Sequence, residues 1–224
     1  MIRRLFFPGL LDTGPVCGPV RAIRNGFMNL YVLKAADGLV CFDAGWRMAT
    51  VCRGFQASGL NPQDVVAVFL THLHWDHARN AGLFRNAEVF VGEREIPAHL
   101  PKWLGSLRGL TGVTEGQIVK TAGISVRVIE TPGHTPGSVS YLVEDRFLFS
   151  GDIIRLRHGK VFPFPFCFNR DNRVVACSVR KLAGLDGIEC LLTAHTGFTA
   201  NPVHAFRRWR EPAADKPRQE EGRT

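Results

Sequence analysis

The sequence predicts a layered α/β protein, and three observations lead to this prediction. Short apolar runs rich in β-branched and aromatic residues recur along the chain, as in Val65–Leu70, and are typical of buried strands. Residues 48–55 place apolar side chains on one stripe of an amphipathic helix. Residues of metal-ligand type directly follow several predicted strands, as expected where a layered α/β fold gathers its strand ends at one rim.

Length and composition indicate one globular domain. A chain of 224 residues can bury one substantial core and is short for two. Apolar residues at 45% and charged residues at 21% are ordinary values for a globular protein. We expect a domain at residues 1–210, followed by a polar tail at residues 211–224. No apolar run reaches the length of a membrane span, so no membrane partner is expected.

The first residues and the cysteines predict a cytoplasmic protein. Residues 1–9 resemble a signal peptide only faintly, because their apolar stretch is short and Pro8 interrupts it, so we expect a first strand there. The six cysteines have no C-x-x-C spacing. In a chain without an export signal, such cysteines are expected to be reduced thiols in the core.

The charge of the chain favours anionic ligands. The formal net charge is +8, from 28 basic and 20 acidic residues, and such an excess can steer anionic small molecules towards the protein. Much of it lies in the stretch of residues 155–181. No aromatic-basic motif of the known nucleic-acid-binding modules is present, so no nucleic acid partner is expected. The sequence carries no indication of an oligomeric state.

In chain order, the first half alternates strands with helices. A turn at residues 36–38 joins two predicted strands in a hairpin. Gly59 and Pro62 are expected to end the amphipathic helix. The predicted elements are strands at residues 29–34, 39–43, 65–70 and 87–91, and helices at residues 48–55 and 78–84.

The second half begins with a long irregular stretch at residues 96–116. Two prolines exclude a central strand at residues 162–168. Asp171 or Asn172 is expected to cap a helix that ends near Gly184. The predicted strands are residues 124–129, 139–143, 147–149 and 189–192.

The strongest functional signal is the run Thr71-His72-Leu73-His74-Trp75-Asp76-His77, directly after a predicted strand. Alternation in an extended segment places His72 and His74 side by side. The following turn can bring Asp76 and His77 to the opposite side of a shared ion. Imidazole and carboxylate groups bind zinc and similar metals. Polar residues at strand ends often only face water, but four potential ligands at this density favour a metal site.

Three more potential ligands lie at the ends of predicted strands: His134, Asp152 and His195. Each alone is a weak signal, because a single histidine is more often a hydrogen-bonded structural residue and a single aspartate more often a turn or cap. Their shared placement in turns at strand ends is stronger evidence, since such turns converge at one rim of a layered fold.

Together these motifs resemble the metallo-β-lactamase superfamily. The resemblance rests on H-x-H-x-D-H after an apolar strand, T-P-G-H-T-P-G-S around His134, S-G-D ending at Asp152, and a late histidine at a strand end. The segment F-D-A-G places Asp43 at the position of the family's early aspartate. The resemblance covers residues 29–196 and is specific for fold and metal. It is not specific for substrate, because the superfamily spans many reactions.

The resemblance implies a single-domain, four-layer αβ/βα sandwich with two divalent metal ions in a cleft at one edge. Zinc is the expected metal, with iron or manganese as alternatives. A hydroxide shared by the two ions would be the nucleophile, Asp76 could handle the proton, and Asp43 would brace the ligand loop. By position, one ion would be held by His72, His74 and His134, the other by Asp76, His77 and His195, with Asp152 bridging.

The resemblance further implies a metal-dependent hydrolase that acts on a small ester, thioester or lactone. Too few residues follow His195 for the helical glutathione-binding domain of the glyoxalase II enzymes. One alternative is a persulfide (sulfur) dioxygenase with a single ferrous iron, whose ligands would be His72, His134 and Asp152. A metal-stabilised binding module without catalysis is a second alternative, disfavoured because buried ligands are costly unless metal or hydrogen bonds satisfy them.

The basic stretch at residues 155–181 also contains several phenylalanines and begins three residues after Asp152. We expect it to contact a substrate with an apolar body and an anionic group. The alternative is a solvated loop that packs on the sandwich through its phenylalanines. The predicted substrate contacts are Arg155, Arg157, Phe164 and Phe166.

Overall fold

Two β-sheets lie face to face in the computed structural model, which describes residues 9–96, 104 and 109–210. The first seven strands are β1 (Gly14–Cys17), β2 (Val20–Asn25), β3 (Met28–Ala35), β4 (Gly38–Phe42), β5 (Val65–Leu70), β6 (Glu88–Gly92) and β7 (Thr111–Val113). They form one sheet in sequence order, antiparallel from β1 to β4 and parallel from β4 to β7.

The remaining strands form the second sheet and a separate hairpin. They are β8 (Ile118–Thr121), β9 (Ile124–Glu130), β10 (Val139–Val143), β11 (Phe147–Phe149), β12 (Ile154–Arg157), β13 (Lys160–Pro163), β14 (Cys190–Thr193) and β15 (Gly197–Thr199). The second sheet has the order β15-β14-β11-β10-β9-β8, with β11 and β14 parallel, and β12 pairs with β13 alone. The helices are α1 (Met48–Ala57), α2 (Trp75–Ala78), α3 (Asn172–Ala183) and α4 (Pro202–Arg210).

Three apolar cores hold the layers together. Between the sheets, the rings of Phe42 and Phe149 stack at 3.7 Å between centroids. On the outer face of the first sheet, α1 buries Val51 and Phe55, and on the outer face of the second, α3 and α4 bury apolar side chains such as Val179. The order is therefore helix, sheet, sheet, helix, which confirms the predicted four-layer αβ/βα sandwich.

The strand directions bring the predicted ligands to one rim. Strands β4 and β5 are parallel, and so are β11 and β14, so each pair ends on the same side of its sheet. Asp43, His72, Asp152 and His195 follow the ends of β4, β5, β11 and β14, respectively. Ligand-binding clefts in layered α/β folds commonly form where the carboxyl ends of strands meet at one edge.

The secondary structure differs from the prediction where local signals were weak. The helix predicted at residues 78–84 is wrong: α2 begins earlier, at Trp75, and a 3₁₀ turn at Ala81–Leu83 follows. Gly82 and Asn80 are poor helix formers, so the helix does not continue through them. Because the helix begins at Trp75, it includes Asp76, one of the predicted ligands. Strand β7 lies inside the predicted irregular stretch at residues 96–116, of which residues 97–103 and 105–108 fall outside the described residues. The Asp171 cap of α3 is confirmed, since its carboxylate accepts hydrogen bonds from the N–H groups of Arg173 and Val174.

Two predictions fall outside the described residues. They are the first strand at residues 1–9, apart from Gly9, and the polar tail at residues 211–224. Among the helices that the structure describes, none has both the length and the apolarity needed to cross a membrane.

The cysteine prediction is wrong for Cys17 and Cys190, which form a disulfide between β1 and β14. These strands belong to different sheets and face each other across the central core, which a separation of 173 residues does not reveal. Among the described residues, the prediction of a free thiol in the core is confirmed for Cys41 and wrong for Cys52, Cys167 and Cys177, which are exposed. Burial raises the pKa of Cys41, so this thiol stays protonated.

Candidate metal centre

All seven predicted ligands converge at one point of the rim. His72 and His74 follow β5, α2 carries Asp76 and His77, and the other three lie in turns after β9, β11 and β14. Their potential ligand atoms form three groups, each with all atoms within 4.8 Å of one another. These groups are His72, His74 and His134, then His72, His77 and Asp152, then Asp76, His77 and His195.

Asp152 lies at the centre of the cluster. Its Oδ2 atom is 3.3 Å from Nε2 of His195 and 3.5 Å from Nε2 of both His77 and His134. Asp76 lies beside the same group, with its Oδ2 atom 3.7 Å from Nε2 of His77 and of His195. Nδ1 of His74 and Nε2 of His134 are 3.0 Å apart. One carboxylate oxygen thus lies within 3.5 Å of histidines from all three groups.

Hydrogen bonds on the outer ring nitrogens fix the histidine orientations. Nδ1 of His77 donates to Oδ2 of Asp43 at 2.8 Å, and Nδ1 of His195 donates to the carbonyl oxygen of Phe27 at 2.8 Å. Nδ1 of His134 donates to the side-chain oxygen of Asn169 at 3.2 Å. A proton on Nδ1 leaves the Nε2 lone pair free and directed into the cluster, as a metal ligand requires.

Asp43 forms several hydrogen bonds with the ligand loop. Besides holding His77, it accepts hydrogen bonds from the N–H and hydroxyl groups of Thr71 at 2.9 and 3.0 Å. The Thr71 hydroxyl in turn lies 3.1 Å from Nδ1 of His72 and can accept its proton. The backbone of Asp43 has φ 61°, a conformation that is uncommon outside glycine. The bracing role proposed for Asp43 stays a prediction, and these contacts are what it would act through.

Buried atoms without partners fit a divalent cation. Nε2 of His72, Nε2 of His77 and Oδ1 of Asp152 are buried and lack a hydrogen-bond partner among the described residues. Such atoms are rare because leaving a buried polar group unsatisfied costs about 1–3 kcal/mol. These three unpaired atoms lie in one cluster and are of the types that bind zinc, so they match the donor set of a metal ion.

The electrostatics of the cluster favour a cation as well. Burial and then the neighbouring imidazoles lower the pKa of His72 well below its ordinary value, so this ring is neutral. Burial opposes ionisation of Asp152, but His195 and His77 outweigh it and hold the pKa of this carboxyl well below its ordinary value. Burial likewise opposes charge on His77, but the carboxylates of Asp43, Asp152 and Asp76 raise its pKa. A positive charge is thus favoured beside the carboxylates of Asp43, Asp76 and Asp152.

Aromatic rings surround the histidines on two sides. The Phe27 ring stacks on that of His195 at 5.8 Å between centroids, and Trp46 and Trp75 meet edge to face at 4.9 Å beside it. Opposite, the Phe164 ring lies 5.4 Å from those of both His134 and His195. Of these rings, that of Trp75 is the most exposed, at 44%.

The predicted substrate contacts lie at different distances from this cluster. Phe164 touches two of its histidines, whereas Phe166 is 77% exposed. Arg155 lies on β12 with its guanidinium 5.9 Å from the centre of the Phe162 ring, and Arg157 is exposed at the end of the same strand. Their role in substrate binding stays a prediction.

Sequence reasoning did not find the residues that orient the histidines. Asn169 lies on an irregular segment far along the chain, and Phe27 acts through its carbonyl oxygen. A backbone acceptor has no signature in the sequence, so only the position of Phe27 next to a glycine in a hairpin turn offered a signal. Thr71 belongs to the same motif as His72 and His74, but its residue type predicts no metal-binding role.

The comparisons with known proteins agree with this geometry. The family model described as the metallo-beta-lactamase superfamily matches residues 23–195, which include every candidate ligand. The chain belongs to the metallo-β-lactamase superfamily. The predicted resemblance is therefore confirmed. A metallo-beta-lactamase family protein from Thermus thermophilus shares this superfamily fold, with a TM-score of 0.66 at 22% identity over 85% of this chain and 77% of that one.

Three curated relatives within the metallo-β-lactamase superfamily illustrate its range. A probable metallo-hydrolase of Methanocaldococcus jannaschii is 29% identical over 66% of this chain and 65% of its own length. A hydroxyacylglutathione hydrolase of Xanthomonas campestris is 31% identical over 86% of this chain and 70% of its own. An N-acyl homoserine lactonase of Bacillus cereus is 31% identical over 61% of this chain and 54% of its own. The chain thus spans less than two thirds of the first and third relatives.

Proposed function

We propose that this protein is a hydrolase with two divalent metal ions, most simply zinc, that cleaves a small ester, thioester or lactone. The observation that carries the proposal is the position of the Asp152 Oδ2 atom within 3.5 Å of Nε2 of His77, His134 and His195. A carboxylate between two sets of histidines is the donor arrangement that a pair of ions needs. The relatives that act on a lactone and on a glutathione thioester support this substrate class.

Each residue has a place in this proposal. His72, His74 and His134 would hold one ion, Asp76, His77 and His195 the other, and Asp152 would bridge them. When bound, two such ions supply a water of lowered pKa and polarise the substrate carbonyl oxygen. Asp76 is the residue that takes up the proton, because its side chain is 13% exposed and therefore reaches both the cluster and the solvent. Asp43 keeps His77 in the tautomer that leaves Nε2 free.

The surrounding rings would position the acyl part of the substrate. Phe164 packs against His134 and His195, so an apolar group bound there lies next to both halves of the cluster. Phe166 and Trp75 also expose apolar surface that a substrate could contact. Water excluded by these rings would strengthen the electrostatic interactions inside the site.

The number of ions separates this proposal from an iron-dependent persulfide dioxygenase. We expect close to two ions per chain, hydrolysis without oxygen uptake, and a His195→Ala variant with about one ion and activity reduced by more than about 100-fold. Elemental analysis of protein purified without added metal measures the count, and an oxygen electrode measures uptake. His204→Ala, an exposed histidine of α4, is the matched control and should retain both ions.

One iron per chain together with oxygen uptake on a persulfide would overturn the hydrolase assignment. The dioxygenase would then use His72, His134 and Asp152, whose groups also meet in this cluster. A chain that binds metal but turns over neither substrate class would instead support a binding module.

The substrate charge is tested separately through Arg155 and Arg157. If either guanidinium binds an anionic group of the substrate, replacing that arginine with alanine should lower kcat/KM for an anionic ester by roughly 10- to 100-fold. The kcat/KM for a neutral ester should stay unchanged. Lys120→Ala controls for net charge, because Lys120 pairs with Ser125 at the end of β9 opposite to His134. If both arginine variants keep the wild-type kcat/KM for the anionic ester as well as for the neutral ester, the proposed anionic recognition is refuted.

A further inference from the structure

Glu95 joins two loops of the metal centre through its carboxylate. It ends the 3₁₀ turn Glu93–Glu95 that follows β6, outside every motif of the sequence. Its Oε2 atom accepts a hydrogen bond from the N–H group of Leu73 at 2.8 Å, and its Oε1 atom accepts one from the N–H group of Gly137 at 3.0 Å. Both oxygens of one side chain are therefore committed to backbone donors from different loops.

These two donors belong to the segments that carry one set of candidate ligands. Leu73 stands between His72 and His74, and Gly137 lies in the same turn as His134. Nδ1 of His74 and Nε2 of His134 already lie 3.0 Å apart across this junction. A side chain that fixes the spacing of the two loops fixes the spacing of these histidines.

The packing around Glu95 leaves the carboxylate little freedom. A Cβ atom at Gly137 would collide with the backbone of Glu95, and one at Gly92 would collide with the carbonyl oxygen of Gly137. The end of β6 thus rests directly on the turn that bears His134. One backbone hydrogen bond, from Val139 N–H to the Thr71 carbonyl oxygen at 2.9 Å, also joins the loops. The loops therefore stay connected when the carboxylate is changed.

We propose that Glu95 is a positioning residue that preorganises the set of His72, His74 and His134 for its metal ion. Hydrogen bonds from N–H groups to a carboxylate are stronger than those to a neutral acceptor, so this bridge is stiffer than the backbone bond alone. Asp76, His77 and His195 are braced separately, by Asp43 and by the carbonyl oxygen of Phe27. The effect of Glu95 should therefore be confined to one of the two sets. The inference rests on the proposed metal centre but not on the proposed substrate.

The test is the metal affinity of Glu95→Gln in folded, metal-free protein. Glutamine keeps the size of the side chain but offers one acceptor oxygen and one NH₂ donor, so it can accept only one of the two N–H groups. Titration with Zn²⁺ against a chromophoric chelator should show one dissociation constant raised by about 10- to 100-fold and the other unchanged. Glu93→Gln removes the same charge from an exposed position of the same turn and should change neither constant.

Two backgrounds assign the affected site. With His195→Ala, which leaves the set of His72, His74 and His134 intact, Glu95→Gln should weaken the remaining site as strongly as in the wild type. With His134→Ala, which disrupts that set, it should have no effect on the remaining site. This double-mutant comparison isolates the coupling between Glu95 and one ligand set.

Several results would overturn the inference. Unchanged constants for Glu95→Gln, equal losses in both backgrounds, or an equal loss in Glu93→Gln would each show that Glu95 does not position this set. A lower melting temperature of the metal-free variant with unchanged affinity would show a structural role only. If Glu95→Gln does not fold, Glu95→Asp, which is too short to reach both donors, gives the same comparison. Wild-type protein that binds metal but hydrolyses nothing would reject the function and leave this inference standing.

Discussion

Removing the metal ions is expected to lower the melting temperature of the protein by at least about 10 °C and to abolish hydrolysis. An ion present at about 1,000 times its Kd stabilises the folded state by about 4 kcal/mol. Each kcal/mol corresponds to about 2–4 °C in a domain of this size. Metal binding stabilises the folded state because the candidate ligands follow strands of both sheets. An ion held between them links these strand ends, and it can do so only in the folded protein. Thermal unfolding followed by circular dichroism, with and without chelator, measures the shift.

The control for this experiment is His134→Ala. This variant should be inactive yet folded, and chelation should shift its melting temperature less than that of the wild type, because one ligand set is incomplete. Restoring the ions should restore the wild-type melting temperature and activity. A wild-type melting temperature that stays constant after verified metal removal would show that these residues are not a metal site.

Replacing Asp152 with alanine is expected to have the largest effect of any single substitution. Its Oδ2 atom lies within 3.5 Å of Nε2 of three histidines, so the change removes the carboxylate that the two proposed ligand sets share. We expect fewer than two ions per chain, and a loss of kcat/KM beyond the roughly 100-fold that a lost supporting contact costs. Metal analysis and steady-state kinetics on one preparation measure both.

Asp186→Ala is the matched control for Asp152→Ala. Asp186 has a 94% exposed side chain and pairs with Arg210 at 3.7 Å on the surface, where an ion pair contributes little. This variant should keep both ions and full activity. Two ions per chain with wild-type kcat/KM in Asp152→Ala would contradict the bridging role.

The central strands were predictable because their patterns are strong. In β5 and β10, nearly every side chain is buried, so a continuous apolar run signals the strand whatever its neighbours are. Strand β1 and edge strand β8 give no such signal: β1 contains a glycine and a proline, and β8 leaves Ile118 57% exposed. Edge strands are formed by pairing with a neighbour, which a single segment of sequence does not encode.

The candidate ligands were predictable from the sequence, whereas the residues that hydrogen-bond to them or to their loops were not. A metal ligand must be a particular side chain, so His72, Asp76 and His134 stand out by residue type and by position after a strand. Glu95 accepts hydrogen bonds from two backbone N–H groups and Asn169 from a ring nitrogen, across long stretches of chain, and many residue types could do either. Only the folded arrangement distinguishes them from ordinary polar surface residues.

Two tryptophans, Trp46 and Trp75, lie near His195 and are intrinsic fluorophores. Trp75 directly precedes Asp76 on α2, and its ring meets that of Trp46 at 4.9 Å, next to Phe27. Phe27 contacts His195 twice, through its ring and through its carbonyl oxygen. Indole emission responds to the polarity and motion of its immediate surroundings. Asp76 directly follows Trp75 in the chain, and His195 contacts Phe27, which in turn contacts both tryptophan rings. We therefore expect tryptophan emission to change when the proposed ions bind, and fluorescence of the unlabelled protein measures this change.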